Sequence, residues 1–95
     1  MACYIVATVR IHDAERFSAY AIAVSGLAES FGAQAILKGA VTEVLEGPGL
    51  VGERVVVSRF DTPEQARAYI ESSAYCEAQL LRQGAAEVVM RLITQ

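Results

Sequence analysis

Residues 3–11, CYIVATVRI, alternate in the way that is typical of a β-strand with two different faces. Every second side chain in this stretch is apolar: Cys3, Ile5, Ala7, Val9 and Ile11. The side chains between them are mixed: Tyr4, Val6, Thr8 and Arg10. Successive side chains of a strand point to opposite sides of its sheet. The stretch therefore predicts a strand with one dry face and one face that is only partly polar.

The end of the chain repeats this pattern. In residues 87–94, EVVMRLIT, one face carries Val88, Met90 and Leu92, and the other carries Glu87, Val89, Arg91 and Ile93. Residues 54–60, RVVVSRF, are rich in β-branched side chains and predict another strand. We expect the wholly apolar faces of the first and last strands to lie beneath helices. The opposite faces are too apolar to be left in water.

Helices are predicted between these strands. Asp13 can cap a first helix, in which apolar side chains recur at spacings of three and four from Phe17 to Phe31, and Gly32 can end it. Residues 62–65, TPEQ, fit a capping box with proline at the first helical position. The pair Ser72-Ser73 is expected to end that second helix and to cap a third one.

Residues 33–46, AQAILKGAVTEVLE, predict extended structure, with Gly39 at a bulge or tight turn. One long bent strand and two short strands both fit this segment. Taken together, the elements predict an α+β fold: a ferredoxin-like protomer in which an antiparallel sheet carries its helices on one face. We expect residues 1–95 to form a single domain.

The composition predicts a partner. Hydrophobic residues make up 54% of the 95 residues, and the mean hydropathy is +0.34. A small domain has too much surface for its volume to hide so many apolar side chains. We therefore expect a homodimer whose sheets pack face to face and enclose a shallow space between the subunits.

Charge and cysteine content argue against several other classes of protein. The net charge is −3, with 11 acidic and 8 basic residues and no basic cluster, so nucleic-acid binding is not expected. No apolar run is long enough to span a membrane, and the first residues do not resemble a signal peptide, which predicts a cytoplasmic protein. Cys3 and Cys76 are too far apart for a metal-ligand motif, and neither a metal nor a cofactor is expected.

Three segments carry a resemblance to a known family: YIVATVRI followed by HDAERFSAY, then FGAQAILKGAVTEVLEG, then ERVVVSRFDTPEQARAYIESSAYCEAQLLRQGAAE. The chain resembles, over about residues 3–93, the bacterial proteins grouped as domain of unknown function 1330, in the dimeric α/β-barrel superfamily. The resemblance implies a ferredoxin-like protomer whose sheet closes a barrel with a partner's sheet. Members of that superfamily include cofactor-free monooxygenases, lactone isomerases, haem enzymes and ligand-sensing domains, so the fold does not select a chemistry.

Several side chains are candidates for a site. His12, the only histidine, could act as a general base, although a polar residue in the turn before the helix is the plainer interpretation. Tyr20 and Tyr75 fit core packing or a binding role. Arg82 shares a helical face with Tyr75 and Gln79, and this row could bind a carbonyl or carboxylate.

Thr8 and Arg91, together with Ser58 or Arg59, could point to the face of the sheet away from the helices and line a pocket there. Arg91 could equally pair with a glutamate across the dimer interface.

Three functions remain open on the sequence. The first is a cofactor-free enzyme acting on a small molecule with a carbonyl or acid group, with His12 or a glutamate moving a proton. The second is a ligand-binding or sensing module without chemistry. The third is a structural dimerisation protein, in which side chains such as Val6, Val56 and Val89 fill the space between the sheets.

Overall fold

The computed structural model describes residues 2–95 and contains one four-stranded antiparallel sheet with four helices on one of its faces. The elements are β1 (Cys3–Ile11), α1 (Ala14–Val24), α2 (Leu27–Ser30), β2 (Gln34–Ala40), β3 (Arg54–Phe60), α3 (Pro63–Glu71), α4 (Ser73–Leu81) and β4 (Ala86–Thr94). The strand order is β2-β3-β1-β4. This is the predicted ferredoxin-like α+β protomer.

The two faces of the sheet divide as the alternation predicts. On β1, Cys3, Ile5, Ala7 and Val9 are buried beneath the helices. The other side of the sheet, which we call the open face, has no helix on it. The register assigns these side chains to the open face: Tyr4, Val6, Thr8 and Arg10 of β1, Val55, Val57 and Arg59 of β3, and Glu87, Val89, Arg91 and Ile93 of β4. The open face is thus mixed: five aliphatic side chains lie beside four charged ones.

The register of β3 corrects the expectation for Val56 and decides the alternative between Ser58 and Arg59, because Arg59 lies on the open face. Val56 pairs with Ala7, and Ser58 pairs with Ile5, so both lie on the helix side of the sheet and not on the open face. Val55 and Val57 occupy the open face instead.

The predicted N-cap residues are confirmed, but the reciprocal half of the predicted capping box is not formed, because the buried Gln65 Oε1 atom has no hydrogen-bond partner within residues 2–95. The Asp13 carboxylate accepts a hydrogen bond from the Arg16 amide at 3.1 Å, and the Thr62 hydroxyl accepts one from the Gln65 amide at 3.2 Å. Ser72 ends α3 and caps α4, because its hydroxyl accepts a hydrogen bond from the Tyr75 amide at 3.1 Å. These side chains satisfy backbone donors that have no partner inside a helix.

The prediction of one continuous helix from Asp13 to Phe31 is wrong. α1 ends at Val24, and α2 begins at Leu27 after a glycine in the left-handed conformation, Gly26 with φ 74°. The apolar spacing continues across this break, which is why the sequence pattern conceals it. Gly32 ends α2 as expected, at φ 93°.

Residues 33–46 contain one short strand and not two. β2 covers only residues 34–40, and its bulge lies between Ala35 and Leu37, while Gly39 pairs regularly with Val55. The Val41 amide still donates to the Glu53 carbonyl at 2.8 Å, and then the chain leaves the sheet. The prediction of an irregularity was right, but its assignment to Gly39 was wrong.

The core between helices and sheet is organised by a chain of aromatic rings. Tyr75 contacts Tyr20 on one side and Tyr69 on the other, with ring centroids 6.3 Å and 5.1 Å apart, and Tyr69 stacks on Phe60 at 6.1 Å. Edge and offset arrangements of this kind add to the stabilisation that burial provides. Within residues 2–95, none of the helices has the length and apolar character needed to cross a membrane.

Candidate functional site

A cavity of about 400 Å³ lies between the sheet and the first two helices. Its position follows from how α1 packs: this helix contacts mainly α4 and approaches the sheet much less closely. A gap therefore remains between α1 and strands β1, β3 and β2.

Small side chains keep this gap open. The sheet contributes Ala7, Ala35 and Ser58 to the lining, and the helices contribute Ala21 and Ala28. Larger residues at these positions would fill the space, since protein interiors normally pack to the density of organic crystals. The rest of the lining is mostly apolar and includes Ile5, Val9, Phe17, Val24, Val56 and Met90.

Two buried tyrosines supply polar groups to this apolar lining, Tyr20 from α1 and Tyr69 from α3. Burial raises the pKa of Tyr69 to about 12, with smaller contributions from the neighbouring Tyr75 and the charge of Glu29. Burial and the hydrogen bond with Tyr75 also raise the pKa of Tyr20. Both phenols are therefore protonated at neutral pH. Tyr69 can donate its hydrogen bond directly to a carbonyl or carboxylate oxygen, whereas Tyr20 can do so only when it stops donating to Tyr75.

The structure brings Tyr20, Tyr75 and Arg82 together. The two tyrosine hydroxyls are 3.1 Å apart, and the Arg82 guanidinium carbon lies 5.1 Å from the centroid of the Tyr20 ring. The Tyr75 hydroxyl also donates to the Met90 sulfur at 3.5 Å. A hydroxyl has a single proton, so while Tyr75 donates to Met90 it accepts from Tyr20.

Arg82 follows the last residue of α4, where it covers the Tyr20 ring. Its Nε atom is buried and has no hydrogen-bond partner within residues 2–95. A cation held over an aromatic face is attracted by the ring's electron density. Arg82 thus packs over one face of the Tyr20 ring. Gln79, which the sequence placed in the same row, is exposed.

The other sequence candidates lie away from the cavity. His12 is in the exposed turn after β1, where its Nε2 atom is 3.6 Å from a carboxylate oxygen of Glu87. Thr8 is on the open face of the sheet between Val55 and Val89. Arg59, also on the open face, forms an ion pair with Asp61 at 2.9 Å.

Two residues of the site were missed by sequence reasoning. Tyr69 was not singled out, although its position six residues before Tyr75 could have suggested a pair. Met90 was assigned only to the apolar face of β4, which is correct. Nothing in the periodicity of a strand or helix distinguishes a cavity lining from a filled core.

The residues described, 2–95, contain no group of three or more histidine, cysteine or carboxylate side chains placed to hold a metal ion. Cys3 is buried and Cys76 is exposed, and both are free thiols. Tyrosine hydroxyls, the Glu29 carboxylate, the Lys38 ammonium group and an apolar wall are therefore the chemical means that this cavity offers, while Arg82 and Tyr75 act on it only through Tyr20.

Solved structures with the same fold include proteins of known and unknown activity. A protein of unknown function from Rhodopseudomonas palustris is similar with a TM-score of 0.80 and 19% identity, covering 99% of this chain and 82% of that one. A dimeric ferredoxin-like protein of unknown function from Thermobifida fusca is similar with a TM-score of 0.67 and 19% identity, covering 100% of this chain and 92% of that one. SnoaB, a cofactor-independent oxygenase from Streptomyces nogalater, is similar with a TM-score of 0.65 and 12% identity, covering 99% of this chain and 92% of that one.

At these identities the similarity establishes the fold and not the activity. No curated protein matches the sequence. The family model for the domain of unknown function DUF1330 matches residues 2–95, and the chain therefore belongs to the DUF1330 family.

Proposed function

We propose that this protein binds a small, largely apolar molecule bearing a carbonyl or acid group in the cavity between α1 and the sheet. The observation that carries the proposal is an apolar cavity of about 400 Å³ into which two protonated tyrosines project from the helices. Ligand sites in proteins are typically concave spaces of about 300–1,000 Å³ with mostly apolar walls and a few polar groups that fix orientation.

The polar groups match a ligand with one oxygen acceptor. The Tyr69 hydroxyl makes no hydrogen bond within residues 2–95 and is not sealed from accessible space, so its proton is available to a ligand. An unpaired donor beside an apolar wall favours a molecule that supplies one acceptor and otherwise buries carbon. Aromatic acids, phenols and lactones belong to this class.

Turnover of that molecule without a cofactor is the more specific form of this proposal. Its support is the shared fold with SnoaB, a cofactor-independent oxygenase. Tyr20 and Tyr69 would polarise the ligand's carbonyl group, and Glu29, which lines the cavity, is the carboxylate positioned to accept a proton. His12, the base favoured by the sequence, is not among the lining residues. A sensing module would bind its ligand in the same cavity without converting it. Only a measurement of turnover distinguishes such a module from an enzyme.

We propose further that the protein is a homodimer joined through the open face. The accessible surface is 6194 Å², whereas a folded monomer of 10.2 kDa is expected to have about 5,300 Å². The excess of about 900 Å² is close to the 800 Å² that each partner buries in a standard interface. Dimeric proteins of this fold, from Thermobifida fusca and Bacteroides fragilis, support the proposal. A purely structural role for the dimer does not account for the cavity on the other side of the sheet.

A binding experiment with a blocked cavity tests the ligand proposal. Small phenols, aromatic acids and lactones at millimolar concentration should raise the Tm of the native protein. Ala7 is buried on the cavity side of β1, so Ala7→Leu should fill the cavity and abolish the shift while the protein stays folded. Thr8→Val on the open face of the same strand is the matched control and should retain the shift.

Failure has two distinguishable forms. If no compound in the panel shifts the Tm of the native protein, the binding proposal is wrong. If compounds bind equally well to the native protein and to Ala7→Leu, a ligand site exists elsewhere in the molecule. Product formation from a bound compound, followed by chromatography, separates the enzyme from the sensing module.

A further inference from the structure

A second, smaller cavity of about 220 Å³ lies on the helix side of the sheet, between α3 and the edge strand β4. Ala66 and Ile70 of α3 and Leu92 of β4 give it apolar surface, and the charged residues Arg67, Glu71 and Arg91 also line it. It is also more open to solvent than the first cavity. Apart from Ile5 and Met90, which line both cavities, no residue proposed above for the ligand site lines this second cavity.

The shared wall consists of two side chains, Ile5 of β1 and Met90 of β4, because only these residues line both cavities. The two side chains differ in conformational freedom. Ile5 is buried on the central strand and β-branched, so it has few rotamers. Met90 is half-buried and has an unbranched side chain with three rotatable bonds. Met90 is the part of the wall that can move.

The Met90 thioether packs against the core and makes one weak hydrogen bond within residues 2–95. The Tyr75 hydroxyl donates to its sulfur at 3.5 Å, and a thioether is a weak hydrogen-bond acceptor. The same Tyr75 hydroxyl is 3.1 Å from the hydroxyl of Tyr20, which lines the first cavity. If a ligand changes the hydrogen bond of Tyr20, Tyr75 can turn its proton from Met90 to Tyr20 and release the thioether.

We propose that Met90 sets the length of the molecule that this protein accepts, and that the second cavity is a subsite for an aliphatic tail. This inference rests on the proposed binding function of the first cavity. The polar head of the ligand lies near Tyr20 and Tyr69, and a straight alkyl chain extends toward Met90. Displacement of the thioether opens a passage to the apolar surface of Ala66, Ile70 and Leu92.

A homologous series of ligands tests the role of Met90. The probes are 4-alkylphenols from ethyl to heptyl, titrated calorimetrically into the native protein. Each methylene that becomes buried should raise the affinity about fourfold. We expect the gain per methylene to shrink at the chain length that reaches Met90, because displacing the thioether costs part of it, and we call this chain length the length limit. In Met90→Ala the full gain should continue through at least two further methylenes, which makes the longest phenols up to about fifteenfold tighter than in the native protein.

Three variants sharpen the result. Met90→Leu restores a side chain of similar volume without the sulfur and should keep a length limit near the native one. Met90→Ala combined with Leu92→Phe narrows the second cavity and should restore the native limit. Met90→Val is a smaller truncation that should shift the limit in the same direction if the alanine variant does not fold.

The outcomes separate this inference from the binding function. If short phenols bind but the length limit is the same in the native protein and the truncated variants, Met90 is not the gate, while the binding function stands. If the limit shifts but Leu92→Phe does not restore it, the tail does not enter the second cavity, and the subsite is wrong. If none of the phenols binds to the native protein or to the truncated variants, the proposed function fails, and the gate fails with it.

Discussion

Tyr69 shows at the level of one residue how burial shapes the site. Its pKa is raised from 10.0 to about 12, mainly because burial disfavours the phenolate. The unfolded chain therefore releases the proton at a lower pH than the folded protein. The contribution of protonated Tyr69 to the free energy of unfolding is fully present below pH 10 and is lost as the pH rises from about 10 to about 12.

Tyr69→Phe removes this ionisation. The free energy of unfolding, measured in urea at pH 8 and pH 11, should fall less between these two values in Tyr69→Phe than in the native protein. Some loss should remain, since burial also raises the pKa of Tyr20. An identical alkaline loss in both proteins would show that the Tyr69 hydroxyl is not buried as described.

The Tyr75 hydroxyl connects the cavity to Met90, and its removal should be measurable. Tyr75→Phe loses the contacts with Tyr20 and Met90 and should lower the free energy of unfolding by about 1 kcal/mol at pH 7. Tyr4→Phe is the matched control, because that hydroxyl makes only an exposed contact of 3.4 Å with Gln95. Equal losses in the two variants would contradict a buried hydroxyl pair.

At the level of elements, the break between α1 and α2 forms part of the wall that the helices contribute to the cavity. Gly26 allows this break because it has φ 74°, a conformation that costs other residues about 1–2 kcal/mol. A Cβ atom added at Gly26 would meet nothing within 4 Å, so the expected loss of about 1 kcal/mol in Gly26→Ala is purely conformational. Urea unfolding measures it.

Gly39→Ala provides the control for that measurement. Gly39 also has open surroundings, but its φ is one that any residue adopts. The substitution should change the free energy of unfolding little. If both glycine variants are equally stable, the left-handed turn at Gly26 is not what separates the two helices.

The elements also show what the sequence could and could not predict. Alternation in β1 and β4 correctly predicted which side chains lie beneath the helices, because period-two patterns report local geometry. The same kind of pattern could not reveal the break at Gly26, where the apolar spacing continues into α2. The cavity exists because α1 packs against α4. This contact joins distant segments of the chain, since Tyr20 and Tyr75 are 55 residues apart in the sequence. Local periodicity carries no information about such a contact.

At the scale of the whole molecule, the sheet has one apolar face covered by helices and a mixed face without cover. The Cα atoms span 32 × 30 × 16 Å, which is the shape of a two-layer slab with an open side. We expect the open face to be buried by a second copy. Val89, 49% exposed and next to Thr8 on the central strand, should lie inside that contact.

Val89→Asp should therefore convert the dimer to a monomer at micromolar concentration, as measured by light scattering. Ile22→Asp is the matched control: Ile22 is 76% exposed, but it lies on α1 in the helix layer, and the variant should remain a dimer. A native protein that is a stable monomer under these conditions would refute the proposed dimer and leave the open face unexplained.

We propose that the ligand lies on the helix side of the sheet and not between two subunits. Nuclear Overhauser effects between methyl groups of the protein and a bound 4-alkylphenol distinguish the two positions. We expect contacts from the ligand to the methyl groups of Val9, Val24 and Met90, which line the cavity. Contacts to Val57 and Val89 of the open face in their place would contradict it.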